Sequence, residues 1–93
     1  MKAIWKYELT VEGLQNIKMP VNAQILSVQE QYGKPCLWAL VSSEGTEATE
    51  ERTIETFGTG HYVPVDMGVE RKFIGTFQLD DGAFIGHVFE RIN

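Results

Sequence analysis

The sequence predicts an all-β protein, a small antiparallel sandwich or open barrel of about six to seven short strands. Three observations predict it. Apolar and polar residues alternate with a period of two through most of the chain. Glycine, proline and Asp-Gly interrupt that alternation at short intervals, as turns between strands do. No segment keeps a helical period over the length of an ordinary helix. A chain of 93 residues makes a single β domain, residues 1–93.

Each element follows from its residues. Ala3 to Leu9 is the first strand, with Ala3, Trp5, Tyr7 and Leu9 on one face and Ile4, Lys6 and Glu8 on the other. Thr10 to Asn16 reads as a polar connection around Gly13. Ile17-Lys18-Met19 reads as a short strand stopped by Pro20, which lacks the N–H a ladder needs. Ala23 to Tyr32 and Pro35 to Val41 are two strands joined across Gly33-Lys34 as a hairpin. The second is apolar on both faces, Leu37, Ala39 and Val41 against Cys36, Trp38 and Leu40. That pattern predicts a central strand covered twice. Ser42 to Thr49 is a loop of small and acidic residues, and the acidic stretch Glu44 to Glu51 reads as peripheral. Glu50-Glu51-Arg52 could open a helical turn, but Thr53, Ile54 and Thr56 favour a strand running to Phe57. Tyr62 to Arg71, with Pro64, Asp66 and Gly68, is a loop. Lys72 to Leu79 and Ala83 to Arg91 are the last strands. Asp80-Asp81-Gly82 between them tolerates the positive φ of a tight hairpin. The turn spacing implies mostly local strand pairing.

Composition narrows the function. Eight basic residues against thirteen acidic ones give a net charge of −5. Non-specific nucleic-acid binding, which neutralises phosphates, is excluded on that ground; a local pocket for a small anion is not. The one cysteine, Cys36, allows no intrachain disulfide and no thiolate cluster, and reads as a small buried hydrophobe. A lone reduced thiol fits the cytoplasm. The opening Met1-Lys2-Ala3-Ile4-Trp5-Lys6 is not a signal peptide, and no apolar run is long enough to span a membrane. A domain this small has a thin core, and a homodimer is the expected relief.

The segment Gly58-Thr59-Gly60-His61 concentrates the candidate chemistry. Its glycines permit positive φ and close approach of a ligand, and its N–H groups, hydroxyl and imidazole can meet anionic oxygens. It lacks the lysine and spacing of a P-loop. The structural alternative is a bulge or tight turn closing a strand. Trp5, beside Lys6 and Tyr7, is the first choice for an exposed stacking surface. Arg71 is the candidate for pairing with phosphate. His87, between apolar neighbours, reads as a hydrogen-bonded structural histidine. The two histidines with Asp66 or Glu90 lack the spacing of a metal site. No serine, cysteine or metal partner is identifiable for His61 as a base. The reading is therefore non-catalytic, with no cofactor.

The blocks Ile4-Trp5-Lys6-Tyr7, Ile25-Leu26-Ser27-Val28-Gln29, Cys36-Leu37-Trp38-Ala39-Leu40-Val41, Gly58-Thr59-Gly60-His61, Gly75-Thr76-Phe77-Gln78 and His87-Val88-Phe89-Glu90 resemble those of small uncharacterised proteins of tailed bacteriophages and prophages. The resemblance covers nearly the whole chain. It implies a phage origin and residence in the host cytoplasm, and no particular activity. The expectation that follows is a non-catalytic phage accessory protein. It would bind a small anionic ligand, such as a host defence nucleotide signal, through Gly58, Thr59, Gly60, His61, Trp5 and Arg71. The nucleotide comes only from the resemblance. The alternative is a protein–protein inhibitor of a host factor, or a structural virion component.

Overall fold

The alternation folds as two antiparallel sheets packed into a sandwich. The computed structural model describes residues 1–11, 13–42, 48–65 and 67–92. Seven strands run as β1 (Lys2–Glu8), β2 (Gly13–Pro20), β3 (Gln24–Gln31), β4 (Lys34–Ser42), β5 (Thr49–Gly58), β6 (Arg71–Leu79) and β7 (Phe84–Arg91). One sheet has the order β1-β4-β3 and the other β2-β5-β7-β6. The narrowest dimension, 15 Å, suits two layers about 10 Å apart.

The core is the set of inward positions that the period of two dictates. Leu37, Ala39 and Val41 of β4 are buried against Met19, Ile54, Phe77, Leu79 and Val88 of the facing sheet. Each fully buried large aliphatic contributes about 1.5–3 kcal/mol.

 Pair by pair, Ala3 meets Val41, Trp5 meets Ala39 and Tyr7 meets Leu37.

Several expectations need correction. β4 is the central strand of its sheet, but among the described residues no third layer covers its second face. Cys36 is buried there, while Trp38 and Leu40 are half-buried. Their cover comes from long polar side chains: the Lys6 ammonium lies 5.9 Å from the Trp38 ring centroid and donates to Gln31 Oε1 at 2.7 Å. The connection placed at Thr10 to Asn16 is shorter, because β2 already begins at Gly13. Exposed Leu14 and Asn16 lie opposite Glu55 and Thr53, and half-buried Gln15, opposite Ile54, shares the face of Ile17 and Met19. Pairing is also less local than the turn spacing implied. Among the described residues only β3–β4 and β6–β7 are hairpins; the β1–β4, β2–β5 and β5–β7 ladders join strands separated in sequence.

The Asp80-Asp81-Gly82 turn does take positive φ at all three residues, 53°, 54° and 90°. Of the acidic stretch Glu44 to Glu51, residues 44–47 lie outside the described residues, and so does Asp66. Among the described residues no helix is long and apolar enough to cross a membrane.

One topological fact positions the site. β5 and β6 are both antiparallel to β7, which lies between them. They therefore run parallel, and the chain must return along the sheet from Gly58 to Arg71. The described residues of that return, 59–65 and 67–70, form a strap without strand structure.

Candidate functional site

Gly58 ends β5, and the strap begins with a tight turn in which the His61 N–H donates to the Gly58 carbonyl at 3.0 Å. Gly60 takes φ +86°, the left-handed conformation that favours glycine. Gly58 does not, so its reason is space. A Cβ there would lie 2.8 Å from His61 Cε1 and 3.0 Å from Nδ1. The imidazole of His61 thus folds back over the glycine that precedes its turn.

Thr59 points elsewhere. Its Oγ1 is 2.7 Å from His87 Nε2, and Thr76 Oγ1 is 3.1 Å from His87 Nδ1. A neutral imidazole donates from one nitrogen and accepts at the other, and each hydroxyl supplies the complementary role. His87 is hydrogen-bonded on both sides, tying β6, β7 and the start of the strap together. The Thr59 N–H donates to the Ile85 carbonyl at 3.3 Å.

A shallow cleft of about 270 Å³ lies between Gly58, Thr59 and His61 on one side and Gly82 to Ile85 on the other. No lysine or arginine lines it, and Asp80 and Asp81 immediately precede its far wall. Its electrostatics are therefore poor for an anion. Among the described residues no group of three or more His, Cys, Asp or Glu could hold a metal ion.

Arg71 is placed at the opposite end of the strap. Its Nε donates to Glu55 Oε1 at 2.7 Å, and its Nη1 donates to the Pro64 carbonyl at 2.8 Å. The two side chains are 11% and 10% exposed. The guanidinium also lies 5.7 Å from the Phe57 ring centroid. Phe57, Phe89 and Phe73 meet edge-on beside it, at centroid distances of 5.9 and 5.3 Å. Arg71 therefore holds the strap to the sheet. Trp5 stands on β1 in the other sheet, 44% exposed. Of the six residues predicted for a ligand site, only Gly58, Thr59 and His61 line a common cleft.

Sequence reasoning missed the feature beside it. Tyr62, Val65 and Met67 in the strap are 96%, 100% and 99% exposed. The signal was in the sequence, since Tyr62-Val63-Pro64-Val65 is an apolar run in a loop. A family described as "Domain of unknown function (DUF7352)" matches residues 1–93. The chain belongs to that family. Comparison with curated proteins and with solved structures found no match. The strap, the cleft and the aromatic cluster thus all lie within the DUF7352 domain.

Proposed function

We propose that this protein is a non-catalytic binding module that docks onto another polypeptide through the strap. One observation carries the reading: three large apolar side chains stand nearly free of contact on a segment held from beneath by Arg71. Exposed apolar side chains grouped in this way mark interaction surfaces. Holding the strap in place beforehand reduces the ordering entropy lost on binding. This is the protein–protein alternative of the sequence reading. Its setting among phage accessory proteins in a host cytoplasm rests on the sequence resemblance.

The test is a photo-crosslinking amino acid placed at Val65, with the same group at exposed Lys18 on β2 as control. Covalent adducts with a polypeptide, a further copy or a different protein, are expected from position 65 and not from 18. Equal labelling at the two positions sinks the reading.

A small anionic ligand at the Gly58–His61 cleft is the second reading. Its supporting observation is that Gly58, Thr59 and His61 line one cleft beside a glycine turn. It is the weaker one, because Arg71 is committed to Glu55 and Pro64 and no cation lines the cleft. Calorimetric titration with nucleotides discriminates: an affinity lost in a folded His61→Ala variant supports the cleft, and no heat with the wild type removes it.

A further inference from the structure

The three-stranded sheet ends at β1, whose one ladder among the described residues is with β4. Antiparallel ladders alternate hydrogen-bonded and non-hydrogen-bonded pairs. Leu9 fixes the phase here, because its N–H donates to the Pro35 carbonyl at 2.8 Å. Leu9 and Pro35 continue the register in which Tyr7 meets Leu37, Trp5 meets Ala39 and Ala3 meets Val41. Those residues of β1 therefore turn their N–H and C=O groups towards β4. Lys2, Ile4, Lys6 and Glu8, which alternate with them, turn theirs towards the open edge.

An open edge is a template for another strand, and proteins blunt it with bulges, prolines or cover. The other edge strands are blunted in this way. The β3–β4 register shifts between Ile25 and Ser27, and the β6–β7 register between Phe73 and Gly75. β3 and β6 also lie close to each other, since a Cβ on Gly75 would be 3.0 Å from Val28 Cγ1. On β2 the Val21 N–H donates to the Ala48 carbonyl at 2.9 Å, next to the pair Pro20–Thr49. By the same alternation Pro20 belongs to the open edge of β2, where it offers no N–H. β1 has none of these devices. Its 7 residues contain no proline or glycine and pair with β4 without a register shift.

We propose that β1 pairs antiparallel with β1 of a second copy, joining two three-stranded sheets into one across a two-fold axis at Trp5. Charge selects this partner and this register. An axis at Trp5 sets Lys2 opposite the partner's Glu8 and Ile4 opposite the partner's Lys6, both in hydrogen-bonded pairs. An axis at Ile4 would set Lys2 against the partner's Lys6, and an axis at Lys6 would set that lysine against its own copy. Like charges directly opposite destabilise a sheet. An axis at Ala3 or Tyr7 shortens the ladder. The side chains also suit the register at Trp5. Glu8 is held by Lys34 only in an exposed pair, 3.4 Å apart, which is easily exchanged. The Lys6 ammonium is engaged by Gln31 and the Trp38 ring, which leaves its stem to cover the partner's Ile4. Ile4 is 60% and Trp5 44% exposed. Trp5 meets the partner's Trp5 in the closer, non-hydrogen-bonded kind of pair, where aromatic side chains stabilise a sheet. β1 lies in the three-stranded sheet and the strap joins strands of the other. The inference therefore goes beyond the docking reading and does not rest on it.

The test is oligomeric state by analytical ultracentrifugation, with circular dichroism to verify folding. Wild type is expected to be a dimer at micromolar concentration. Ile4→Pro removes an N–H of the open edge and no bond to β4, and is expected to be folded and monomeric. Lys2→Glu and Glu8→Lys, each alone, set like charges opposite in both halves of the dimer. Each should weaken it at least about ten-fold. Mixed in equal amounts, the two variants again set opposite charges face to face in both halves. A heterodimer of near wild-type affinity is then expected, and this arm decides the matter even if Ile4→Pro does not fold. The strap variant Val65→Asp, Met67→Asp should leave the dimer intact. A monomeric wild type, a dimer that persists in folded Ile4→Pro, or a mixture no tighter than its components overturns the inference. So does a dimer lost in the strap variant, which would place self-association on the strap and leave the docking reading standing.

Discussion

Three residues, Tyr7, Gly58 and Gly86, show how much a single atom decides. The Tyr7 hydroxyl is buried with no hydrogen-bond partner among the described residues, and burial raises its pKa above the ordinary 10.0. Below pH 10 the phenol keeps its proton in the folded and the unfolded chain, so its titration does not change stability there. Above that, the unfolded chain loses the proton more readily, so stability falls as pH rises. Tyr7→Phe is expected to raise stability by about 1 kcal/mol at neutral pH and to flatten the alkaline decline, as read by urea unfolding at pH 7 and above pH 10. The inward face of Tyr7 was legible from the period of two. The missing partner was not, because it depends on which groups from distant strands reach the hydroxyl. Glycines teach the same lesson. The sequence pointed to Gly58, where the obstructing group is the exposed, movable ring of His61. It did not point to Gly86, where a Cβ would lie 2.5 Å from Cζ of buried Phe77 and 3.0 Å from Thr56 Cγ2. Gly86→Ala should therefore cost about 2–3 kcal/mol and Gly58→Ala about 1 kcal/mol; equal losses in chemical denaturation would contradict the assignment.

At the scale of elements, the strap is the unit that matters, and Arg71 is its anchor. Removing one partner of a buried ion pair leaves an uncompensated charge. Arg71→Ala is expected to cost about 3 kcal/mol. It should also release the strap, seen as faster amide hydrogen exchange at Ile92, whose N–H donates to the Glu70 carbonyl at 2.7 Å, under conditions where the β4 amides stay protected. The exposed pair Lys34–Glu8, 3.4 Å apart with side chains 62% and 57% exposed, is the contrast: Lys34→Ala should change stability by less than about 0.5 kcal/mol. The strap was legible as a loop from Pro64 and Gly68. Its course was not, since nothing in residues 59–70 reveals that β7 fills the place between β5 and β6. Arg71 consequently read as a basic group available to a ligand, whereas the fold brings Glu55 and the Pro64 carbonyl to it. The second buried pair, Arg52 with Glu90, also supplies a donor to the Ala23 carbonyl at 2.9 Å. Hydrogen bonding to Glu90, set against desolvation, keeps the Arg52 guanidinium above its ordinary pKa.

The whole molecule is governed by which strands meet. Alternation, turns and the Asp-Gly hairpin were enough for an all-β sandwich, because those signals lie within each strand. The order of strands is a property of pairs of segments, and the two hairpins are the part of it that turn chemistry can encode. The remaining ladders bring β1 to β4, β2 to β5 and β5 to β7. Each closes a loop that contains other strands, and the entropy of closure is lost before the ladder and its inward side chains are gained. Refolding from denaturant is therefore expected on the millisecond-to-second scale of β-sandwiches, not the microsecond scale of local folds. Stopped-flow tryptophan fluorescence can follow it, since Trp5 and Trp38 lie on adjacent strands of one non-local ladder, β1 on β4. Destabilising that ladder with Val41→Ala should slow refolding if β1–β4 closure belongs to the transition state. Microsecond refolding of the wild type would mean that the two hairpins carry the rate, and that the non-local ladders form only after the barrier.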